Sequence, residues 1–134
     1  MSDDVLLAKA DIIERCVARA RSELAASDDF VNDFTRQDAA VLNVQRACDA
    51  AIDMAQRLIR LRRLGLPASS REAFDLLASA GLIPEPLVVT MKNMVGFRNL
   101  SVHQYQKLDP AAVEAVIRHS LEDLLAFSVA AVRL

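Results

Sequence analysis

The sequence contains few of the residues that build turns, metal sites and aromatic surfaces. Its 134 residues include three Gly, four Pro, two Cys and no Trp, and aromatic residues make up 4% of the chain. So few Gly and Pro exclude an all-β barrel or sandwich with its many tight turns. Cys16 and Cys48 match no metal-ligand spacing and lie among apolar positions, so we expect buried free thiols. We expect neither a metal ion nor a cofactor.

The sequence also lacks a strong excess of charge of either sign and a long apolar run. Sixteen basic and 18 acidic residues give a formal net charge of −2, so no global positive field attracts nucleic acid or acidic membranes. The N-terminal segment carries acidic residues where a secretion signal carries basic ones, and no apolar run approaches the ~20 residues of a membrane span. We therefore expect a cytoplasmic protein with no membrane contact, which would bind RNA through a local patch.

The residues that are abundant favour helices. Hydrophobic residues make up 53% of the chain, and they recur at three- and four-residue intervals, which is typical of amphipathic helices. We expect one all-α domain over residues 1–134, folded as an antiparallel bundle of four or five helices. The apolar excess is large for one small bundle, so we also expect a symmetric homodimer.

Capping residues and helix stops predict where five helices begin and end. The predicted helices run from Val5 to Ala26, from a capping box at Thr35 and Asp38 to Leu64, from a capping box at Ser69 and Glu72 to Gly81, from Pro84 and Pro86 onward, and from Asp109 and Pro110 through Phe127. The fourth helix is expected to loosen after Leu100.

The segment from Gly96 to Tyr105 differs from the rest because it gathers Arg98, His103 and Tyr105, the one Tyr of the chain. In a straight helix, the five-residue step from Arg98 to His103 turns them apart by ~140°, so a loosened helix end is needed to bring them together. Arg binds phosphate oxygens and His exchanges a proton near neutral pH. The pair therefore suits metal-free RNA cleavage, in which His removes the 2′-hydroxyl proton and Arg stabilises the phosphorane. The alternative is a solvated Arg and a His that caps the helix.

Together the three residues form the motif R-x4-H-x-Y. A small all-helical chain with this motif resembles the members of the HEPN superfamily. More narrowly, the chain is similar to the HepT-like toxins of HepT–MntA (type VII) toxin–antitoxin pairs. The stretches 33–55, 65–83 and 92–105 all resemble their counterparts in that family, so the resemblance covers nearly the whole chain.

The resemblance implies a dimeric, metal-independent ribonuclease toxin in which the motifs of both chains line a shared cleft and leave 2′,3′-cyclic phosphate ends. Arg98 and His103 would be the catalytic pair, with Asn99 and Ser101 positioning the phosphate. Tyr105 would accept AMP from an MntA-like nucleotidyltransferase, the antitoxin that silences the toxin. The alternative is a non-catalytic HEPN companion that forms part of a nucleotidyltransferase's substrate or nucleotide site.

Two groups of charged residues on the second helix remain open. Arg57, Arg60, Arg62 and Arg63 form either a basic patch that guides RNA or a solvated helix end that suits the helix dipole. A stripe of alternating charges, Arg46, Asp49, Asp53 and Arg57, is either a salt-bridged surface or a support for Arg98 or His103.

Within that stripe, Asp53 is the first candidate for the supporting role. In the last helix, His119 lies four residues before Asp123, and we expect a surface ion pair between them.

Overall fold

The computed structural model describes residues 3–134, and this part of the chain is helical with no strand. It contains six α-helices, α1 (Asp4–Ala26), α2 (Phe34–Arg62), α3 (Ser70–Ser79), α4 (Glu85–His103), α5 (Pro110–His119) and α6 (Leu121–Val132). Two 3₁₀ turns, Phe30–Asn32 and Tyr105–Lys107, lie before α2 and after α4. The predicted all-α fold is confirmed. None of the described helices is both long enough and apolar enough to cross a membrane.

Helix α2 forms the centre of the bundle, because it contacts α1, α3, α4, α5 and α6. It packs most extensively against α1, and ion pairs near both ends show the relative direction of the two helices. Near one end Arg57 Nη2 lies 2.8 Å from Asp3 Oδ2, and near the other Arg36 Nη1 lies 2.8 Å from Glu23 Oε2. Since early residues of α1 meet late residues of α2, the pair is antiparallel.

The core is built from the apolar stripes that the periodicity predicts. Phe74 of α3 and Phe127 of α6 are fully buried and meet edge-on, with ring centroids 5.3 Å apart. Cys16 and Cys48 are buried free thiols, as predicted. Burial raises the pKa of the Cys48 thiol to about 12, so this cysteine is held as an unreactive thiol.

The ends of α2 differ from the prediction. Its N-cap is Asp33, whose Oδ1 accepts a hydrogen bond from the Arg36 N–H at 3.1 Å, rather than Thr35 of the expected capping box. The aspartate two residues earlier can cap equally well, so the helix starts before the predicted box. At the other end the helix stops at Arg62, because Arg63 adopts a left-handed conformation with φ 54°.

The starts of the later helices agree with their predicted caps. Ser69 Oγ accepts from the Glu72 N–H at 3.1 Å, and Pro86 lies in the first turn of α4. Asp109 Oδ1 accepts from the Ala111 N–H at 3.0 Å. The last predicted helix is nevertheless two helices, α5 and α6, because the helix is interrupted at Ser120. The apolar stripe continues across this break, so the periodicity alone conceals it.

Candidate functional site

Arg98 is held on α4 by a carboxylate of α2. Its Nε donates a hydrogen bond to Asp49 Oδ1 at 2.7 Å, and its Nη1 donates to Asn99 Oδ1 at 3.2 Å. These bonds use two of the five N–H donors of a guanidinium and leave three without a protein acceptor in the described chain. The Arg98 side chain keeps 30% of its surface exposed. An oriented, partly exposed guanidinium with unused donors can bind a phosphate.

The fourth helix is expected to loosen after Leu100, but α4 stays regular to its last residue, His103. The Gln104 N–H still donates to the Leu100 carbonyl at 2.9 Å, so the helical pattern continues through His103. His103 is exposed to solvent. Because the helix stays regular, Arg98 and His103 of one chain remain turned apart by ~140° around α4. The prediction that a loosened end brings them side by side is wrong.

Asn99 and Ser101, the two predicted phosphate-positioning residues, lie in different environments. Asn99 is exposed, and its amide nitrogen remains available beside Arg98. Ser101 is 5% exposed, and its hydroxyl lies 2.7 Å from the Arg98 carbonyl and 3.4 Å from Gln45 Oε1. The burial of Ser101 contradicts a direct phosphate contact within this chain, because its hydroxyl serves the packing of α4 on α2.

Tyr105 lies in the 3₁₀ turn after α4, where its hydroxyl donates a hydrogen bond to Asp38 Oδ1 of α2. The Tyr105 side chain remains 42% exposed. Partial burial, the hydrogen bond and the negative charge of Asp38 together raise the pKa of Tyr105 to about 12. Tyr105 is therefore a protonated, solvent-accessible phenol that a carboxylate orients.

The contact between Tyr105 and Asp38 can be measured directly, because the chain has one Tyr and no Trp. We expect an absorbance titration of the native protein to give a tyrosine pKa of about 12, because partial burial and the hydrogen bond and charge of Asp38 all disfavour the phenolate. Asp38→Asn should lower that pKa toward the ordinary value of about 10. Equal titration curves for the two proteins would contradict the contact.

The α2 side of the site consists of three polar residues, Asp38, Gln45 and Asp49, that contact Tyr105, Ser101 and Arg98 in turn. Their separations of seven and four residues correspond to two turns and one turn, so they share one face of the helix. Of the charged stripe that could support Arg98 or His103, Asp49 contacts Arg98, whereas Asp53, the first candidate, contacts neither in the described residues.

Asp53 accepts from Lys9 Nζ at 2.9 Å and therefore serves the contact between α1 and α2. Helical spacing places Asp38, Gln45 and Asp49 on one face of α2, but Asp53, four residues beyond Asp49, fits the same spacing, so the spacing alone does not select Asp49.

The four arginines at the end of α2 do not form a free basic patch. Arg57 pairs with Asp3 and lowers the pKa of that carboxyl, and Arg62 Nη2 donates to the Leu134 carbonyl at 2.8 Å. Arg60 and Arg63 are exposed and form no ion pair with residues 3–134. Two of the four arginines are thus committed to contacts with Asp3 and Leu134.

Two other expectations concern acidic and histidine side chains. His119 and Asp123 form no ion pair in residues 3–134, because the break at Ser120 removes the regular spacing on which that prediction depends. Within the same residues, no cluster of three or more His, Cys, Asp or Glu side chains is arranged to hold a metal ion.

Comparison with known proteins gives consistent matches over most of the chain. The family model described as Ribonuclease HepT-like matches residues 11–131. An mRNA nuclease HepT from Shewanella oneidensis is 43% identical over 93% of this chain and 94% of its own length. A tRNA nuclease HepT from Aphanizomenon flos-aquae is 27% identical over 71% of this chain and 65% of its own.

The fold agrees with a solved structure as well. The tri-AMPylated Shewanella oneidensis HEPN toxin, determined in complex with MNT antitoxin, superposes with a TM-score of 0.91 at 42% identity, covering 96% of each chain. The match covers 96% of the chain rather than the motif alone, so the geometry above lies in a shared fold.

Proposed function

Because this chain belongs to the ribonuclease HepT-like family, we propose that it is a cytoplasmic ribonuclease toxin that an MntA-like nucleotidyltransferase neutralises by adding AMP. The observation that carries this proposal is the guanidinium of Arg98, which Asp49 fixes at 2.7 Å while three of its N–H donors stay free. His103 is exposed and lies five residues, about one and a half turns, further along the same helix. The site thus offers a guanidinium that can bind a phosphate and an imidazole that can accept a proton.

The proposed cleavage is an attack of the ribose 2′-oxygen on the neighbouring phosphate. His103 accepts the 2′-hydroxyl proton as the new P–O bond forms, and Arg98 neutralises charge on the phosphorane. The bond to the 5′-oxygen then breaks, which leaves a 2′,3′-cyclic phosphate. Asn99 adds an amide donor beside Arg98. Neither role requires a metal ion, since the protein side chains supply both the base and the positive charge.

A homodimer supplies what one chain lacks. Arg98 and His103 of one chain face different sides of α4, and a departing 5′-oxygen needs a proton from a second acid. Two copies would bring two Arg98 and two His103 side chains to one cleft, so that each role has a residue. Leu42 and Val102, which flank the site on α2 and α4, are 43% and 41% exposed and offer apolar surface to a second copy.

Tyr105 is the proposed acceptor for AMP. Its hydroxyl lies at the surface, two residues after His103. AMP groups on this oxygen would occupy the space beside His103 and place negative phosphate near Arg98, which would repel RNA. The relative whose structure is solved is a tri-AMPylated toxin bound to MNT antitoxin, and this supports the same regulation here.

Cleavage by the isolated protein tests the proposal. We expect the wild-type chain, incubated with total RNA in excess EDTA, to produce fragments that end in 2′,3′-cyclic phosphate, because His103 and Arg98 perform the chemistry. His103→Ala should lower the cleavage rate by about a hundredfold or more, since it removes the general base. Gel analysis and end-group mass spectrometry give both results.

A matched control is His119→Ala, which removes the chain's other histidine from a position at the end of α5. It should cleave like the wild type. Intact RNA with wild type and both variants would instead favour the non-catalytic companion of a nucleotidyltransferase.

A further inference from the structure

The contact between Asp38 and Tyr105 joins parts of the chain that are 67 residues apart. In the described residues, it is the one side-chain hydrogen bond that ties the segment 104–108 to another element. Asp38 lies in the second turn of α2, and the phenol reaches it from the 3₁₀ turn beyond α4. The carboxylate therefore fixes the direction of the Tyr105 hydroxyl.

Asp38 differs from the other acidic residues of α2 in its partner. Asp49 and Asp53 each pair with a cation, at 2.7 Å from Arg98 and 2.9 Å from Lys9. Asp38 forms no ion pair with residues 3–134, and its side-chain partner there is the phenol of Tyr105. The Asp38 carboxylate is thus not paired with a lysine or arginine, and the phenol hydroxyl is the group it contacts.

We propose that Asp38 is the general base for AMP transfer: it orients the Tyr105 hydroxyl and accepts its proton as the oxygen attacks the α-phosphorus of ATP. This inference rests on the proposed role of Tyr105 as AMP acceptor. In the step, Tyr105 Oη forms a bond to the α-phosphorus, and the bond from that phosphorus to the bridging oxygen of the β-phosphate breaks. Pyrophosphate leaves, and the phenol proton passes to the Asp38 carboxylate and then to solvent.

The chemistry explains why a carboxylate is suited to this position. A phenol whose proton is held tightly near neutral pH is a weak nucleophile, and a base within hydrogen-bond reach removes the proton as the new bond forms. Asp38 already accepts a hydrogen bond from the Tyr105 hydroxyl in the unmodified chain, so the base is in place before the nucleotide binds. The toxin itself thereby prepares the oxygen that the antitoxin modifies.

Asp38→Asn separates this role from a merely structural contact. The amide oxygen of Asn still accepts a hydrogen bond from the phenol, so the 3₁₀ turn stays attached to α2, but an amide does not take up the proton. With ATP, Mg²⁺ and an MNT-type nucleotidyltransferase that adds AMP to the wild-type chain, we expect kcat for the variant to fall about a hundredfold. The KM for ATP should not change.

Two variants complete the experiment. Asp11→Asn removes a carboxylate that pairs with Arg15 on the surface of α1, and this variant should be modified at the wild-type rate. Tyr105→Phe should receive no AMP. Mass spectrometry of the intact chain over time measures all four proteins.

The outcomes distinguish the two levels of the proposal. Wild-type kcat in Asp38→Asn, with Tyr105→Phe unmodified, would overturn the role of Asp38 and leave Tyr105 as the acceptor. Modification of Tyr105→Phe at the wild-type rate would overturn the acceptor itself, and the role of Asp38 with it. A hundredfold lower kcat in Asp38→Asn, with a normal KM and an unchanged Asp11→Asn, supports the inference.

Discussion

Replacing Arg98 with alanine is expected to slow RNA cleavage by about a hundred- to a thousandfold, the loss that follows removal of a group that stabilises transition-state charge. The expected effect is large because Arg98 is oriented before RNA binds, by Asp49 at 2.7 Å. Cleavage of a short synthetic RNA under single-turnover conditions measures the change. Arg98→Lys should recover little of the activity, since an ammonium lacks the fork of donors that binds Asp49 and phosphate together.

Asp49 offers a stringent check on this interpretation. Asp49→Ala leaves Arg98 charged but without its carboxylate partner, and misplacement of about 1 Å in a reacting group can cost about a hundredfold in rate. Because Asp49 would act through Arg98, the double variant should be no slower than Arg98→Ala alone. Losses that multiply in the double variant would instead show that Asp49 contributes independently of Arg98.

The helices are predictable from the sequence wherever a local signal determines them. The start of α1 and the caps at Ser69 and Asp109 agree with the prediction, because an N-cap depends on residues within one turn. The break at Ser120 is not predictable in this way. The residues on its two sides, Ile117 and Leu121, are both buried at helical spacing, so a continuous helix satisfies the same pattern.

The residues of the candidate site also differ in whether the sequence predicts them. The motif identifies Arg98, His103 and Tyr105, but it does not identify Asp49 and Asp38, the residues of α2 that contact Arg98 and Tyr105. Whether Asp49 or Asp53 faces Arg98 depends on which side of α2 receives α4, and the positions of Lys9 and Arg98 settle it by attracting one carboxylate each. Such a choice belongs to the packing of helices that are distant in sequence, and periodicity along one helix does not contain it.

The largest expected effect on stability comes from Phe127→Ala. Phe127 is 0% exposed, and its ring meets Phe74 edge-on at 5.3 Å, so truncation removes apolar burial, leaves a cavity and loses an aromatic contact. We expect the free energy of unfolding to fall by about 3–5 kcal/mol. Urea denaturation followed by circular dichroism measures this loss.

The fall is a large share of the roughly 5–15 kcal/mol that holds such a domain folded. Phe34→Ala is the matched control, because Phe34 is 72% exposed at the start of α2 and its loss should change stability by less than about 0.5 kcal/mol. Since α6 packs against α1, α2 and α4, the cavity at Phe127 loosens the support of both helices that carry the site. We therefore expect Phe127→Ala to lose RNA cleavage at a lower temperature than the wild type, although no residue of the motif has changed. A loss of stability below about 1 kcal/mol would contradict the burial of Phe127 against Phe74.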